Sequence, residues 1–397
     1  MTEIPTLADL VAPDEVSHFF GAVQGRSYRR FEGKAGRFAD LMPWQALSTI
    51  LRQHRLGFPR LRLAVGGQVV PRETYEDLLP TRRGGVIPQL KCAPFTEQLR
   101  LGATLVLDAV QELRDPIGDL ARRLEHDLRE RIQVNLYAGW GTTHGFDVHW
   151  DDHDAFIVQV AGRKHWRIYG PTRPAPLHRD TELPIPPANT EPIADFMLED
   201  GDVLYVPRGH WHDVAAVGEQ SLHLTIGFNP ATGVDLVSWL ADRLRANITF
   251  RRDLPRFGSA EDRAGRAAEL RAEIEAVLTP DVLEEFLTDR DAAAPAHPRI
   301  GLPWSATPGL LPPEDEAEVR LLTPRAVLQH EDKRVILLAA GKRLVFAAAA
   351  GPVLAALLDG TPKPVKTLVE LSELVLNRDT VRALLGELIA QGLLAAG

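Results

Sequence analysis

The middle of the chain consists of short apolar runs separated by tight turns. Each run is rich in β-branched or aromatic residues and is bounded by glycine, proline or aspartate, which predicts β-strands. The runs cover residues 132–137, 155–160, 203–206 and 221–228. Short strands joined by tight turns favour a small closed barrel, because closure leaves no exposed sheet edge. Gly162 separates the second run from one that begins at Lys164, so we expect a hairpin there.

Helical patterns flank this region on both sides. Upstream, residues 119–130 carry leucines at four-residue steps, which is typical of an amphipathic helix, and residues 17–23 and 44–52 predict shorter helices. After Pro230, apolar residues recur at steps of three and four. The helices predicted there cover residues 234–248, 261–278 and 281–287.

The remainder of the chain changes in composition. An Ala- and Pro-rich stretch resembles a linker, and after it a hairpin is predicted across Gly341 and an amphipathic helix over residues 380–389, ended by Gly392. The order of elements predicts an α+β protein. Its expected divisions are a strand-rich domain over residues 1–229, a helical region over 230–290, a linker over 291–313 and a C-terminal domain over 314–397.

The composition is that of an ordinary globular protein, with 45% apolar residues. The single cysteine, Cys92, excludes an intrachain disulfide and a zinc site with several cysteines, which fits a reducing cytoplasm. The N-terminal sequence MTEIPTLADL lacks an export signal, and charges interrupt the most apolar stretch, residues 335–358, so we expect no membrane association. A net charge of −9 argues against a broad nucleic-acid surface but is compatible with a basic protein partner.

Candidate metal ligands are His149, Asp151 and, further along the chain, His212. Residues i and i+2 of a β-strand point to the same face, so His149 and Asp151 can both reach one ion. Two imidazoles and one carboxylate suit divalent iron and leave positions open for a cosubstrate and O2. The pattern H-x-D by itself is equally consistent with the polar face of a surface strand.

Three other histidines compete with this set. His153 and His210 share strand parity with the chosen residues, but the ligand spacing favours His149 over His153, and Gly209 leaves His210 on a turn. His223 lies in an apolar strand, where a hydrogen-bonded core histidine is the common state. It can instead support the metal ligands from outside.

Further polar residues lie on the predicted strands. Lys164 offers a compact ammonium to a carboxylate, although most hairpin lysines are simply solvated. Asn135, Tyr137 and Thr225 are candidate pocket residues, although buried polar side chains more often satisfy backbone hydrogen bonds.

The segments around these residues carry a family resemblance. NLYAGW, GFDVHWDDHDAFIVQVAGRKHWRIYGP, GDVLYVPRGHWHDV and SLHLTIGF follow one another between Gln133 and Asn229. In order and spacing they resemble the JmjC-type cupins called ribosomal oxygenases, of the cupin-4 group. The resemblance implies a double-stranded β-helix (cupin or jelly-roll) core, followed by a helical region that can form a homodimer. The closing run RALLGELIAQGLLAAG resembles the last helix and wing of a winged-helix domain.

The resemblance also implies an activity, that of an Fe(II)- and 2-oxoglutarate-dependent oxygenase. The implied metal ligands are His149, Asp151 and His212. Lys164 would bind the distal carboxylate of 2-oxoglutarate, Asn135 and Thr225 fall at cosubstrate positions, and Tyr137 falls at the substrate pocket. The family precedent is hydroxylation of an arginine or histidine side chain of a ribosomal protein, coupled to conversion of 2-oxoglutarate into succinate and CO2.

The chain departs from the family pattern at two places. Before the first ligands it has Thr143-His144-Gly145-Phe146-Asp147, and before the last ligand it has His210-Trp211. The side chains of His144, Phe146, His210 and Trp211 are therefore expected to reshape the substrate entrance.

Two alternative functions remain open at this point. The same site can act on a small molecule or a biosynthetic peptide, or the cupin can be a non-enzymatic sensor that binds a metal or a ligand. Lys164 separates the oxygenases from the sensor, because a sensor needs no clamp for a carboxylate.

The C-terminal domain invites a DNA-binding interpretation. Its candidate recognition helix places Arg378 and Arg382 beside Asp379 and Glu387. Such a mixed face is poor for phosphate contacts, so we expect no direct DNA binding.

Overall fold

The structure is a computed structural model that describes residues 4–142, 145–177, 180 and 191–397. The chain divides into two compact units. We call Met1–Pro230 the N-terminal unit and Ala231–Gly397 the C-terminal unit.

The N-terminal unit is built mainly from antiparallel strands. Those in the described residues are β1 (Arg29–Phe31), β2 (Leu61–Val65), β3 (Gln68–Val69), β4 (Glu76–Pro80), β5 (Val86–Leu90), β6 (Thr104–Leu107), β7 (Gln133–Gly139), β8 (Asp154–Ala161), β9 (Lys164–Pro171), β10 (Ala194–Leu198), β11 (Val203–Val206), β12 (His210–Ala216) and β13 (Ser221–Phe228). A large sheet has the order β1-β11-β8-β13-β7-β6-β2-β3, and a small sheet has the order β10-β9-β12. Among the strands of the described residues, β4 and β5 pair only with each other.

Helices accompany the large sheet. They are α1 (Leu7–Val11), α2 (Val16–His18), α3 (Trp44–Gln53), α4 (Arg72–Tyr75), α5 (Cys92–Arg100) and α6 (Asp115–Leu128), with a π-helical turn over Phe19–Val23. The helix predicted over residues 119–130 starts earlier, at Asp115, because proline is well tolerated in the first turn of a helix. Its apolar side, including Leu120 and Leu124, joins Leu136 of β7 and Leu224 of β13 in the main core.

A second apolar cluster joins the large sheet to the small one. Ile157 and Leu204 of the large sheet contribute to it, together with Trp166 and Ile168 of the small sheet. Strand β8 is paired on both edges and covered on both faces, so all of its residues but the last are buried. This burial explains why residues 155–160 form an apolar run without alternation.

The strands on either side of Gly162 do not form the predicted hairpin. β8 pairs with β11 and β13, whereas β9 pairs with β10 and β12. Gly162 has a φ of 62°, and a Cβ at this position would lie 2.1 Å from the backbone oxygen of Gln220. The chain therefore turns sharply from one sheet into the other. The prediction of the two strands is confirmed, and the prediction that they pair is wrong.

The C-terminal unit combines helices with two small antiparallel sheets. The helices are α7 (Gly233–Leu244), α8 (Ile248–Arg251), α9 (Ala260–Val277), α10 (Val282–Ala292), α11 (Gly351–Leu357), α12 (Val365–Glu370) and α13 (Arg378–Ala390). The strands are β14 (Glu318–Leu321), β15 (Val327–Glu331), β16 (Arg334–Ala339), β17 (Lys342–Ala347), β18 (Lys363–Pro364) and β19 (Leu394–Ala396), in the orders β18-β14-β19 and β15-β16-β17. The hairpin across Gly341 is confirmed.

Two segments of this unit differ from the expectation. The helix expected over residues 234–248 ends at Leu244, and a new helix starts after Asn247, whose side-chain oxygen accepts a hydrogen bond from the N–H of Thr249 at 2.8 Å. The Ala- and Pro-rich stretch over residues 291–313 is bonded into the unit. The N–H of His297 donates to the carbonyl of Leu322 at 2.8 Å, and Leu311 is buried in the core. Across the described ranges, no helix has both the length and the apolar character needed to cross a bilayer.

Candidate metal centre

Three side chains of the N-terminal unit converge at one end of the space between its sheets. The Nε2 of His149 lies 3.9 Å from one oxygen of Asp151, and the Nε2 of His212 lies 3.7 Å from the other. All three potential ligand atoms lie within 4.8 Å of one another. Such spacing suits one divalent ion bound by two imidazoles and a carboxylate.

The expected strand geometry around these residues is only partly present. His212 lies on β12, but His149 forms an isolated bridge with His212, and Asp151 lies outside the strands. The carbonyl of Asp151 accepts a hydrogen bond from the N–H of Gly209 at 2.9 Å. The segment from His149 to Asp151 is therefore held in position by its backbone hydrogen bonds to β12 and to the turn before β12. It does not form a regular strand of its own.

Backbone carbonyls orient both imidazoles. The Nδ1 of His149 lies 2.8 Å from the carbonyl oxygen of Asp147, and the Nδ1 of His212 lies 3.1 Å from that of His210. A carbonyl only accepts, so each Nδ1 carries the proton and donates it. Each Nε2 is left with a free lone pair facing the other ligands, which is the tautomer that a metal requires.

The turn between β2 and β3 packs closely against the residue that orients His149. Gly67 has a φ of 78°, and a Cβ there would lie 2.3 Å from a carboxylate oxygen of Asp147. Asp147 can therefore occupy its position only because residue 67 has no side chain. This contact could not be read from the sequence, because the two residues are distant along the chain.

The charge states also favour metal binding. Burial and the neighbouring His149 lower the pKa of His212 to about 4, so its imidazole is neutral at neutral pH. Burial would raise the pKa of Asp151, but the three imidazoles of His212, His153 and His149 together hold it below its usual value. A neutral imidazole and an ionised carboxylate are the forms that bind a metal.

The metal-binding atoms face a cavity of about 290 Å³ that extends to Lys164. Lys164 starts β9, is only 5% exposed and has no carboxylate within ion-pair distance among the described residues. Burial lowers the pKa of its ammonium to about 8. A buried ammonium without a counterion is costly, and a negatively charged ligand would remove that cost.

Aromatic rings also line the cavity. Tyr137 stacks on His223, with ring centroids 5.0 Å apart, and Trp166 stacks on His212 at 5.8 Å. Burial raises the pKa of the Tyr137 hydroxyl, and Asp151 raises it further, so this group stays protonated. Thr225 also lines the cavity.

The remaining sequence candidates differ in position. Phe146 lines the cavity, whereas His144 lies outside the described residues. Asn135 does not line the cavity, and its side-chain oxygen accepts a hydrogen bond from the N–H of Ala109 at 3.1 Å. His210 begins β12 instead of lying on the turn, and it is buried outside the cavity lining.

Trp211 also lies away from the expected entrance. It is 1% exposed, is absent from the cavity lining and donates a hydrogen bond to the hydroxyl of Thr172 at 2.9 Å. Alternation along β12 explains this position, because neighbouring residues of a strand point to opposite faces and His212 points into the cavity.

Several residues that line the cavity have no signal in the sequence that marks them as part of the site. Arg62 of β2 and Thr104 of β6 contribute to its wall, and so does His153, which had been considered only as a metal ligand. Arg62 is paired with Asp108 just beyond the end of β6. Long-range strand pairing brings Arg62 and Thr104 to the site, and no local motif indicates it.

Comparison with known proteins relates this site to a family. Residues 113–236 match the JmjC domain. The bifunctional lysine-specific demethylase and histidyl-hydroxylase NO66 of Brugia malayi is 32% identical over 188 residues, which are 43% of this chain and 25% of that protein. Ribosomal oxygenase 1 of Bos taurus is 32% identical over 261 residues, which are 62% of this chain and 37% of that protein. The chain thus spans well under half the length of either relative.

A solved structure covers nearly the whole chain. The Escherichia coli ribosomal oxygenase YcfD, in complex with cobalt and 2-oxoglutarate, superposes with a TM-score of 0.60 over 95% of this chain and 97% of that chain, at 20% identity. The two proteins therefore share a fold. Residues 113–236 of the chain therefore match a JmjC domain, and the chain is similar to proteins named ribosomal oxygenase.

Proposed function

We propose that this chain is an Fe(II)- and 2-oxoglutarate-dependent oxygenase that hydroxylates a side chain of a protein. This proposal rests on two groups of side chains that lie in one cavity. Two imidazole Nε2 atoms and a carboxylate face one point, and a buried ammonium without a counterion lies deeper in the same space. The first group suits a metal, and the second suits the carboxylate of a cosubstrate.

The donor set suits a divalent ion with open coordination positions, such as iron, and does not suit structural zinc or magnesium. His149, Asp151 and His212 would hold the ion on one side and leave its other positions free. Structural zinc sites have four protein ligands, and magnesium prefers oxygen ligands. Iron and 2-oxoglutarate together would supply the oxidation of a C–H bond to an alcohol by O2.

The protein residues would position the cosubstrate and exclude water. Lys164 would bind the distal carboxylate of 2-oxoglutarate, and Thr225 and Tyr137 would line its path toward the metal ligands. Asn135 would support the cavity indirectly, because it does not line the cavity and its side-chain oxygen accepts a hydrogen bond from the N–H of Ala109. The need for a counterion at Lys164 argues against a sensor that binds only a metal.

A ribosomal protein is the substrate class best supported by relatives. Homologues are named ribosomal oxygenase, and one relative is named a histidyl-hydroxylase. The net charge of −9 is suited to attracting a basic protein. We place this activity on a double-stranded β-helix formed by the two facing sheets.

A homodimer would account for the exposed helices of the C-terminal unit. Helix α9 has no buried residue, and the nearby Val237 and Phe257 are 64% and 96% exposed. Leu240, Leu244 and other apolar residues of this unit line a groove. A second copy of the chain would cover this apolar area. Light scattering should then give twice the mass of the chain, and Val237→Asp should lower it to that of a monomer.

The end of the chain would be a winged-helix domain without a DNA-binding role. Helices α11, α12 and α13 with the sheet β18-β14-β19 are consistent with such a module. On α13, both Arg378 and Arg382 bond to Asp315, Arg382 at 2.8 Å. Arginines held by a carboxylate contribute little to phosphate binding, so a contact with protein is the proposed role.

Succinate formation tests the proposed activity. Purified protein supplied with Fe(II), ascorbate, O2 and 2-oxoglutarate should form succinate, and a protein extract from ribosomes should gain oxygen by mass spectrometry. Asp151→Ala should abolish both signals. Retention of either signal by Asp151→Ala, or no succinate from the wild type, would overturn the proposal.

A further inference from the structure

The charged side chains of the cavity wall are few. Among the described residues, its lining contains one carboxylate, Asp151, and two basic side chains outside the imidazoles, Arg62 and Lys164. In the proposed function Asp151 binds the metal and Lys164 binds the cosubstrate. Arg62 is then the charged group left for the substrate side of the cavity.

Arg62 is fixed in place by Asp108. Both terminal nitrogens of its guanidinium bond to the two oxygens of that carboxylate, and the side chains of Arg62 and Asp108 are 22% and 25% exposed. A bidentate pair of this kind has a defined orientation. Arg62 is therefore a positioned cation rather than a mobile surface side chain.

A second layer of bonds holds Asp108. The backbone oxygens of Asp108 and Ala109 accept hydrogen bonds from Arg60 at 3.2 and 2.9 Å. Ala109 adopts a left-handed conformation with a φ of 55°, and its N–H donates to Asn135. A non-glycine residue persists in that conformation only where its surroundings hold it. Asn135 thus supports the loop that orients Arg62.

Arg62 and Tyr137 lie on the same face of the large sheet. Both residues are in register with Val106 of the intervening strand β6. Directly opposite residues of neighbouring strands point to one face. The guanidinium and the ring are thereby arranged side by side along the cavity wall.

The rest of the described cavity lining, apart from Arg62, Asp151, Lys164 and the imidazoles, is uncharged. Thr104, Phe146, Val206 and Pro207 contribute a hydroxyl and apolar surface. A guanidinium or ammonium entering the cavity would find no free carboxylate in the described lining, because Asp151 is assigned to the metal and Asp108 is already paired with Arg62. Burying a cation without a counterion is strongly unfavourable, whereas a neutral polar side chain needs only hydrogen bonds.

We propose that Arg62, held by Asp108, makes the site selective for an uncharged target side chain, such as a neutral imidazole, against arginine and lysine. This inference rests on the proposed oxygenase function. It assigns Arg62 a role in specificity and Asn135 a role in positioning.

The test uses a pool of peptides with degenerate flanking positions. The central residue is histidine, asparagine, glutamine, arginine or lysine, and the pool is incubated with enzyme, Fe(II), 2-oxoglutarate and O2 at about pH 7.5, where an ordinary histidine is mostly neutral. Mass spectrometry measures the gain of one oxygen at each centre, and succinate is measured in parallel. The wild type should favour uncharged centres over arginine and lysine by at least about tenfold.

Three variants separate charge from structure. Arg62→Met should reduce this preference by about tenfold because it leaves the Asp108 carboxylate unpaired, whereas Arg62→Lys should retain most of it because an ammonium can still pair with Asp108. Arg100→Met removes an exposed arginine of the same unit and should leave the preference unchanged. A purely structural role for Arg62 would change total turnover in both Arg62 variants without changing the ratio between centres.

The outcomes distinguish the two proposals. No succinate from the wild type overturns the oxygenase function itself. Succinate together with oxygen gain mainly at arginine or lysine, or at no centre, overturns the inference about Arg62 while the oxygenase function stands. An equal ratio between centres in the wild type and Arg62→Met also overturns it.

Discussion

His149 and His212 exchange two backbone hydrogen bonds, from His149 N–H to His212 oxygen at 3.1 Å and in the reverse direction at 2.8 Å. Their imidazole centroids lie 4.4 Å apart. The backbone itself therefore brings the two imidazoles together before any metal binds. Because the two imidazoles are already held together, metal binding requires less ordering of side chains and costs less free energy.

Gly67 provides a test of how His149 is oriented. Gly67→Ala should lower the affinity for Fe(II) or Co(II) by about tenfold, because the added Cβ would displace Asp147, whose carbonyl holds the Nδ1 of His149. Metal titration followed by absorption measures the change. Gly66→Ala is the matched control, since Gly66 also has a positive φ, of 57°, but has open space around a Cβ. Equal losses in the two variants would contradict the role of Asp147.

Lys164→Met should weaken binding of 2-oxoglutarate by at least about 30-fold, because a buried charge partner is lost. The exposed Lys34→Met is the control and should bind normally. Binding to the wild type should also weaken as the pH rises through about 8, where the ammonium of Lys164 loses its proton. Calorimetric titration of the Co(II) form at several pH values measures both effects. A pH-independent affinity above that value would be inconsistent with this role for Lys164.

The same lysine should reduce the stability of the cosubstrate-free protein. Its pKa is about 8 when folded and 10.5 in the reference state, a difference that corresponds to about 3 kcal/mol. The cost is fully present below about pH 8 and disappears as the pH rises toward 10.5. At pH 7, Lys164→Met should therefore unfold at a higher urea concentration than the wild type, and the gap should narrow by about pH 10. Equal urea midpoints of the two proteins at pH 7 would contradict this prediction, because they would show that another group offsets the cost of burying the ammonium.

The sequence predicted the parts of this architecture that depend on local patterns. Val203–Val206 and Ser221–Phe228 are strands with the predicted bounds, because short apolar runs between turn residues leave few alternatives. The pairing of β8 with β9 was predicted wrongly, because a glycine turn fits both a hairpin and a crossing between sheets.

The site shows the same division between local and long-range information. His149, Asp151, His212 and Lys164 could be selected by motif, and the structure brings them to one cavity. Arg62 comes from a strand two positions away from β7 in the sheet, so only the fold reveals it. Trp211 was misplaced because aromatic residues beside a ligand suggest an entrance, although strand alternation directs this one into the interior.

Asp202 should be important for the stability of the N-terminal unit. Its buried carboxylate accepts hydrogen bonds from Arg30 and from the N–H groups of Gly33 and Glu199 at 2.8 to 3.0 Å. Asp202→Ala should reduce the free energy of unfolding by about 3 kcal/mol, because it leaves these donors without an acceptor. Glu32→Ala removes an exposed partner of the same arginine, at 3.8 Å, and should cost less than about 1 kcal/mol. Urea denaturation measures the free energy of unfolding of both variants. Equal values would contradict the role given to Asp202.

His149, Asp151 and His212 are proposed to hold an iron ion to which 2-oxoglutarate binds in the same cavity. Anaerobic titration of the purified protein with Fe(II) and 2-oxoglutarate tests this proposal directly through the metal-to-ligand charge-transfer band in the visible range. We expect the band to saturate at one equivalent of each for the wild type and for the exposed control His54→Ala, and to be absent from Asp151→Ala. A wild type without the band, or Asp151→Ala with the full band, would contradict the assignment.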